Sequence, residues 1–522
     1  MVAALVAGCG AGATADADTL RFAVQTGPSE LDPHASQSDV TALLTRPVLD
    51  SLVSVDASGT VRPWLATSWE TGGDHRSYTF TLREGVRFTD GTPFDAAAVQ
   101  ANLDHIVAPA TKSQLATGLI APYAGTQVID ARTVRVGFSR PFTAFLTALS
   151  TPYLGMQSPA ALRQGPDAQA RKIVGTGPFE METYVPGQGV VYHRNPGYGW
   201  PPQGAPASGP PKLKRIEVRI LPEDSVRVGA LTSGQVDAAG GIPPINVAQL
   251  ARDSRIRIEN RQVTGGVYSY YPNTASGPFA DVRVRRAFRA GIDWHTFVGK
   301  LYRGVYRPAS SPISPSSAGY DPSTQGFDRY DPGTAAGLLD QAGWTGRDAE
   351  GFRTRNGERL TIRWMFVRNI AREQRSVLAE QVQAAARKAG FDVRFLDLTL
   401  ATYARTAISG DYDLADFSWS RVDADALRDL FHSANVSSET GGSNAARYAD
   451  PQVDRLLDRA LAIDDPAGRA PLYAEVQRKV LADAAVFPVY APEYVIGTRK
   501  NVHGISWEQQ GYPGFYGAWM SA

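Results

Sequence analysis

The sequence predicts a mixed α/β protein with two or three structural domains, and three observations support this. The chain has 522 residues, whereas a single hydrophobic core stops growing near about 250–300 residues. Residues 77–82 alternate polar and apolar side chains, which is typical of a half-buried strand. Residues 360–395 contain a strand, a helix and a second strand in succession, and such units build α/β domains.

The strand–helix–strand unit is defined by its apolar spacing. The first strand is predicted over Leu360–Phe366, and a helix over residues 373–389 follows it. Gly390 marks the end of that helix, because glycine favours the left-handed conformation that commonly ends a helix. Three apolar residues spaced four apart form one helix face, and three alternating apolar residues open the second strand: Leu378, Val382 and Ala386, then Phe391, Val393 and Phe395.

Three other predicted helices begin with an aspartate cap followed by proline at the first helical position. The pairs are Asp331–Pro332, Asp450–Pro451 and Asp465–Pro466. Asp95 caps a further helix that runs from Ala96 to His105. We interpret these helices as scaffold rather than as parts of a binding site, because their apolar residues repeat at core spacing.

Composition and motifs exclude several classes of function. The chain carries 53 basic and 52 acidic residues, so it has no electrostatic footprint for nucleic acid. No apolar run approaches the ~18 residues of a transmembrane helix. The motifs of serine hydrolases, P-loop enzymes and zinc metalloproteases are absent, and no two histidines lie within four residues of each other. We therefore expect a protein that is not an enzyme and has no cofactor or metal.

Cys9 is the one cysteine of the chain, which excludes an intramolecular disulfide and a cysteine-based metal site. Leu5–Cys9 resembles the lipobox of bacterial lipoproteins, in which small residues precede the cysteine that carries the lipid. This resemblance implies that residues 1–18 form a lipoprotein leader and a flexible tether. The protein would then be anchored at the extracytoplasmic face of the bacterial membrane, which is periplasmic in a Gram-negative cell. The alternative is a chance thiol in a disordered leader.

A series of motifs in a fixed order carries a resemblance to a known family. The most specific stretch is residues 78–94, with the sequence Tyr-Thr-Phe-Thr-Leu-Arg-Glu-Gly-Val-Arg-Phe-Thr-Asp-Gly-Thr-Pro-Phe. Others lie at residues 63–70, 175–179 and 278–288. Together they are similar to the family 5 solute-binding proteins of ABC importers, typified by dipeptide- and oligopeptide-binding proteins and including nickel and glutathione binders. The resemblance covers nearly everything from Leu20 to about Trp507.

The resemblance implies a two-lobed periplasmic-binding-protein-like fold, of type II and similar to cluster C, with a hinged ligand cleft between the lobes. Lobe I carries an extra subdomain, which we predict over residues 56–174. The rest of lobe I is predicted at residues 19–55, 175–265 and 486–522, and lobe II at residues 266–485.

The function so implied is that of the solute-binding component of an ABC importer. The protein would capture a small peptide or peptide-like ligand between its lobes and deliver it to a membrane permease with its ATPase subunits. We expect a monomer with no nucleic-acid partner. Two alternatives stay open: a non-peptide solute in the same fold (oligosaccharide, glutathione, opine or nickel chelate), or a surface lipoprotein that senses peptide without transport.

The implied ligand contacts begin at Trp419, which stacks on the ligand or forms part of the lobe core. In dipeptide- and oligopeptide-binding relatives an aspartate shortly after such a tryptophan binds the ligand ammonium group. Asp423 matches it with one residue more between them, and Asp425 is the acidic residue of the following turn. Arg421, beside Trp419, faces the cleft or pairs with Asp423. The alternative is that both aspartates cap a helix that begins near Leu427.

Arginine suits the ligand carboxylate, because its fork of N–H groups matches two oxygens. Arg368 lies one position from the arginine of dipeptide-binding relatives, and Arg372 is nearby; the alternative is a solvated arginine at a helix entry. Tyr271 and Asn273 lie where the chain is expected to cross into lobe II, in a segment whose backbone binds extended ligand in relatives. The loop that contains Glu30 is a third candidate for the cleft lining.

Overall fold

The structure, a computed structural model, describes residues 18–28, 30–56, 59–368, 371–439 and 441–521. Three larger sheets organise the chain, with seven, four and six strands. Within the described residues, no helix is both long enough and apolar enough to cross a bilayer. We refer to the part built on the seven- and four-stranded sheets as lobe I, and to the part built on the six-stranded sheet as lobe II.

The seven-stranded sheet of lobe I is mixed, with Thr19–Val24 at its centre, parallel to both of its neighbours. Three helices belong to this part of lobe I: Asp39–Thr45, Asp224–Ser233 and Pro244–Leu250. The strands, in spatial order, are Ile256–Gln262, Glu493–Arg499, Ala238–Gly240, Thr19–Val24, Arg215–Ile220, Gly189–Arg194 and Phe179–Val185.

The four-stranded sheet of lobe I is antiparallel, and all of its strands lie within the predicted subdomain, residues 56–174. The strand predicted from the alternation at residues 77–82 is confirmed as Ser77–Leu82. The strands, in spatial order, are Ala66–Thr71, Ser77–Leu82, Thr133–Phe138 and Tyr123–Val128. The helices are Ala96–Val107, Ala116–Leu119, Phe145–Leu149, Pro159–Leu162 and Pro166–Gln169, and a hairpin pairs Val53–Val55 with Val61–Pro63.

The six-stranded sheet of lobe II contains the predicted strand–helix–strand unit, with Thr361–Phe366 parallel to Asp392–Asp397. Its strands, in spatial order, are Arg307–Pro308, Phe487–Ala491, Gly265–Pro272, Leu414–Ser420, Thr361–Phe366 and Asp392–Asp397. The helices are Val282–Ala290, Trp294–Tyr302, Pro332–Gln341, Arg375–Ala389, Leu400–Ser409, Ala426–Phe431, Pro451–Ala460 and Pro466–Ala482. Smaller sheets pair Gly346–Arg347, Arg353–Arg355 and Glu358–Arg359, Val502–His503 with Trp519–Met520, and Ser506–Trp507 with Pro513–Gly514.

The predicted helix caps are confirmed. The carboxylates of Asp95, Asp331, Asp450 and Asp465 each accept a hydrogen bond from a backbone N–H in the first turn of the helix that follows. Such caps replace hydrogen bonds that the first turn of a helix cannot make internally. The start of each of these helices is therefore determined by a residue that directly precedes it in the chain.

The chain passes between the seven- and six-stranded sheets twice, at residues 262–265 and at Pro492. The two connections lie side by side, because the Val263 N–H donates to the Pro492 carbonyl over 2.9 Å. The second passage differs from the predicted boundary: Phe487–Ala491 pairs in the six-stranded sheet of lobe II, although residues from 486 onward were predicted in lobe I. The predicted boundary lies just before this apolar strand and the observed passage just after it, and no local sequence pattern distinguishes the two positions.

Candidate ligand-binding cleft

A cavity of about 180 Å³, here called the central cavity, lies between the two lobes beside the chain connections. Side chains of both lobes and of both connections form its wall. Lobe I supplies Asp39, Tyr494 and Tyr512 among others, lobe II supplies Arg372, Glu373 and Trp419, and the connections supply Val263 and Pro492.

An ion pair crosses the central cavity from one lobe to the other. The Arg372 Nη2 atom lies 2.7 Å from the Asp39 Oδ2 atom. Burial raises the pKa of the Asp39 carboxyl, but the charge and hydrogen bond of Arg372 outweigh it and leave the pKa below its ordinary value. The same pairing raises the pKa of Arg372. Both groups therefore stay ionised in the wall of the cavity at neutral pH.

A second ion pair, formed within lobe II, lies beside Arg372. The Arg375 Nη2 atom lies 2.7 Å from the Glu373 Oε2 atom, and the same nitrogen donates to the Ser418 hydroxyl over 2.9 Å. The Tyr490 hydroxyl donates to Glu373 Oε2 over 2.5 Å. Arg372 Nε lies 3.5 Å from Glu373 Oε1, so acidic and basic groups alternate along this side of the cleft.

The backbone beside these charges is strained. Glu373 and Gln374 have φ angles of +58° and +57°, in the left-handed region that residues with a Cβ seldom adopt. The helix predicted to start at residue 373 starts at Arg375 for this reason. Strain of this kind persists only where tertiary contacts impose it, and it concentrates at binding and active sites.

Trp419 lies in the strand Leu414–Ser420 and faces the cleft. Its indole contributes to the wall of the central cavity and also to that of a neighbouring one. The Arg421 guanidinium stacks on the indole at 4.2 Å from the ring centroid, and the Phe417 ring meets it edge-on at 5.9 Å. Trp419 is thus held between a cation and an aromatic ring while one surface faces the cavities.

The neighbouring cavity, here called the lobe II cavity, has a volume of about 450 Å³. It shares Gln37, Ser418 and Trp419 with the central cavity, so the two are adjacent compartments of one cleft. The helix Leu400–Ser409 forms one of its walls, and the segment around Ser437 forms another.

The predicted ligand residues Arg421 and Asp423 both have partners within lobe II. Arg421 Nε lies 3.2 Å from Asp429 Oδ2 rather than beside Asp423, and burial lowers the pKa of Arg421. Asp423 Oδ2 lies 3.2 Å from Arg469 Nη1, and Asp423 Oδ1 accepts a hydrogen bond from the Asp425 N–H over 2.8 Å. Arg421, Asp423 and Asp429 line a small cavity of about 80 Å³ between lobe II and the lobe I subdomain.

Asp425 also lines that small cavity, just before the helix Ala426–Phe431. Its carboxylate accepts hydrogen bonds from Arg428 Nε over 3.2 Å and from the Tyr473 hydroxyl over 3.1 Å. Its side chain does not cap the helix. Burial raises the pKa of Asp425 to about 7, although the charge of Arg428 opposes this.

Arg368 lies at the outer end of the strand Thr361–Phe366. Its side chain is 46% exposed and lies 3.4 Å from Glu380 and 3.5 Å from Asp397. Its guanidinium also stacks on the rings of Phe366 and Phe395. As far as the described residues define them, the walls of the central and lobe II cavities do not include Arg368, whereas Arg372 lies in the wall of the central cavity.

Tyr271 and Asn273 lie at the end of the strand Gly265–Pro272 and just after it. Both are fully buried: the Tyr271 ring stacks on Phe417 at 4.2 Å, and the Asn273 amide donates to the Gly410 and Tyr412 carbonyls. Their strand pairs with a neighbour on each side, so the sheet engages much of its backbone. In the described part of the chain neither side chain contributes to a wall of the two cavities.

Two further predicted positions remain, Glu30 and Cys9. Glu30 is exposed, and its carbonyl accepts a hydrogen bond from the Thr41 hydroxyl over 2.6 Å. Cys9, predicted to carry the lipid, lies outside the described residues. The described ranges hold no group of three or more His, Cys, Asp or Glu side chains arranged to bind a metal ion.

Asp39, Glu373 and Arg375 were not singled out from the sequence. The sequence held one usable signal, the dense run of charge at residues 372–375 between a predicted strand and a predicted helix. No local pattern marks Asp39, because its role depends on a residue of the other lobe.

Comparison with known proteins identifies the family to which these features correspond. The profile of a family described as bacterial extracellular solute-binding proteins, family 5, matches residues 60–438. The glutathione-binding protein GsiB of Shigella dysenteriae serotype 1 is 30% identical over 515 residues, which cover 97% of this chain and 94% of the relative.

Two solved structures give the same fold. NikA from Brucella suis, in complex with Fe(III)-EDTA, superposes with a TM-score of 0.82 at 25% identity, over 96% of this chain and 100% of NikA. The periplasmic binding protein DppA from Helicobacter pylori, in complex with the peptide STSA, superposes with a TM-score of 0.80 at 23% identity, over 97% and 98% of the two chains. The predicted two-lobed α/β fold is confirmed.

Proposed function

Because the chain belongs to the family 5 bacterial extracellular solute-binding proteins, we propose that it captures a small peptide or peptide-like solute for an ABC importer. The solute binds in the central cavity and is delivered to the membrane permease. The observation that carries the proposal is the ion pair of Arg372 and Asp39, which presents opposite charges from opposite lobes at the cavity wall.

A peptide with free ends can replace each partner of that ion pair. Its carboxylate takes the place of Asp39 beside Arg372, whose guanidinium can donate two parallel hydrogen bonds. Its ammonium group takes the place of Arg372 beside Asp39. Each half-buried charge then keeps an opposite charge, which avoids the desolvation cost of an unpaired ion in a closed cleft.

This exchange couples binding to closure of the lobes. A ligand shifts the balance between open and closed forms only through contacts that it makes better in the closed form. A zwitterion that touches Asp39 and Arg372 makes both contacts only when the lobes are close together. The paired connections at Val263 and Pro492 are suited to act as the hinge.

The ligands of the relatives support a peptide-like solute. GsiB is named for glutathione, and the Helicobacter protein is bound to the peptide STSA. Both ligands carry amino and carboxylate groups. Trp419 supplies an aromatic surface beside the charges, and we keep it as a ligand contact.

The cellular setting belongs to the same proposal. The protein is a monomer and a binding component, not an enzyme, and it works with ABC permease and ATPase subunits. A lipid on Cys9 anchors it at the extracytoplasmic face of the membrane, which agrees with the lipobox resemblance of Leu5–Cys9.

Mass spectrometry of the purified protein tests the proposal directly. The protein is desalted under non-denaturing conditions, its mass is measured, and the bound small molecules are then released and identified. We expect a peptide or a peptide-like zwitterion, and displacement of it by dipeptides in calorimetry. A sugar or a metal chelate in the cleft, together with no heat from any dipeptide, would overturn the proposal.

A further inference from the structure

The lobe II cavity is larger and more apolar than the central cavity that it adjoins. Its volume is about 450 Å³, against about 180 Å³ for the central cavity. Aliphatic and aromatic side chains form most of its wall, among them Phe366, Val367, Ala404, Ala407, Ile408 and Phe417. A solute held by its charges in the central cavity can therefore extend an uncharged part past Trp419.

The charged groups at the edge of the lobe II cavity already have partners. The Asp416 carboxylate accepts hydrogen bonds from the Tyr268 hydroxyl over 2.6 Å and from Trp364 Nε1 over 2.8 Å. Arg375 is paired with Glu373, as described above. A charged ligand group entering this cavity would lose its water and find these ionic partners occupied, and the neutral hydroxyls of Ser437 and Ser443 in the wall do not replace an opposite charge.

Part of the apolar wall stays in contact with water. Ile408 is 37% exposed although it is a large aliphatic side chain, and Ala404, one helical turn earlier, is also exposed. Both line the lobe II cavity from the helix Leu400–Ser409. Filling the cavity with an apolar group removes this surface from water, and this gain grows with the area covered.

We infer that the lobe II cavity binds a large apolar side chain of the solute, so that the solute is a peptide-like zwitterion with an aromatic or branched aliphatic residue. This inference rests on the proposed function. The cavity volume falls in the range of about 300–1,000 Å³ that is typical of pockets for whole small molecules, so a methyl group leaves most of it empty. Glutathione carries only small or polar side chains and would leave the apolar wall uncovered.

The test compares peptides and a matched pair of variants by titration calorimetry. The ligands are Ala-Ala, Ala-Phe, Phe-Ala, Ala-Leu and glutathione. Ala404→Phe adds a ring at an exposed position that lines the cavity. Arg405→Phe adds the same ring at the next residue of the same helix, which is exposed and is not among the residues that line the cavity.

We expect a peptide with Phe or Leu to bind wild type about tenfold or more tighter than Ala-Ala and glutathione. Ala404→Phe should remove this preference for Phe and Leu over Ala-Ala, and Arg405→Phe should keep it. Equal affinities for Ala-Ala and the larger peptides, or tightest binding of glutathione with no effect of Ala404→Phe, would overturn the inference and leave the proposed function intact. No binding of any of the five ligands would overturn both.

Discussion

Arg372 and Asp39 form an ion pair of 2.7 Å, although they belong to different lobes and lie far apart in the chain. Arg372 precedes the helix Arg375–Ala389 of lobe II, and Asp39 begins the helix Asp39–Thr45 of lobe I. The side chains are 32% and 23% exposed, so water screens their attraction only in part. A solute that enters between the lobes must either keep this pair or replace it.

Replacing Arg372 by alanine should weaken binding of a peptide with a free carboxylate by about 1–3 kcal/mol. The reason is that the buried carboxylate loses its charged donor. Calorimetry with Ala-Phe and with its C-terminal amide measures the effect, and the amide should lose little further affinity in the variant.

Arg368→Ala is the matched control for this substitution. Arg368 is exposed and pairs with Glu380 and Asp397. We expect wild-type affinity in this variant. If Arg368→Ala weakened binding and Arg372→Ala did not, the carboxylate donor would be Arg368, the residue that the family resemblance implies.

Replacing Asp39 by asparagine should weaken binding of Ala-Phe but not that of N-acetyl-Ala-Phe. The shape of the side chain is kept while the charge that faces the ligand ammonium group is removed. The acetylated peptide should bind wild type and variant equally weakly, because it lacks the ammonium group that Asp39 would contact. The losses of binding free energy caused by the substitution and by the acetylation should therefore not add. Independent losses that simply add would exclude Asp39 as the ammonium partner.

Much of the fold follows from local sequence. Alternation predicts the strand Ser77–Leu82, and the aspartate caps at Asp331 and Asp450 predict helix starts, because both depend on residues that are neighbours in the chain. The start of the helix predicted at residue 373 was wrong by two residues. Tertiary contacts hold Glu373 and Gln374 in the left-handed region, and no local pattern predicts that.

The cleft was less predictable than the fold. Arg368 and Arg372 both precede the same helix, and no sequence pattern distinguishes the arginine that faces lobe I from the one that does not. The partner of Asp423 is Arg469, which lies on a later helix, so its pairing depends on how the helices pack. Residues of one strand or helix are predictable from spacing, whereas a charge that pairs across lobes is not.

Cys9→Ser should release the protein from membranes if Cys9 carries the lipid. Two acyl chains give stable anchoring, and serine at this position cannot be lipidated by the same chemistry. Expression in a bacterial host, followed by separation of membrane and soluble fractions and by detergent phase partitioning, measures the change. Ala7→Ser changes a neighbouring small residue and keeps the cysteine, so it should stay with the membrane. Equal membrane partitioning of Cys9→Ser and wild type would exclude the lipid anchor.

Asp425 should make the protein less stable as the pH rises from about 4 to about 7. Burial raises the pKa of this carboxyl from 3.8 to about 7 in the folded state. In that window the folded chain holds a proton that the unfolded chain has released, so the free energy of unfolding falls as the pH increases. Below the window both states are protonated, and above it the destabilisation is complete.

Asp425→Asn removes the ionisation and should therefore flatten this pH dependence. We expect the variant to gain up to about 4 kcal/mol relative to wild type at pH 8 and little at pH 4, because a rise of about three pKa units at about 1.4 kcal/mol per unit corresponds to that free energy. Urea unfolding at pH 4, 6 and 8 measures this difference in the free energy of unfolding.

Glu84→Gln is the control, because it changes a side chain that is 77% exposed. It should shift the free energy of unfolding by less than about 0.5 kcal/mol at each pH. Parallel curves for wild type and Asp425→Asn would show that Asp425 stays charged in the folded protein. Weaker binding of Ala-Phe to the variant at unchanged stability would instead support Asp425 as a ligand contact.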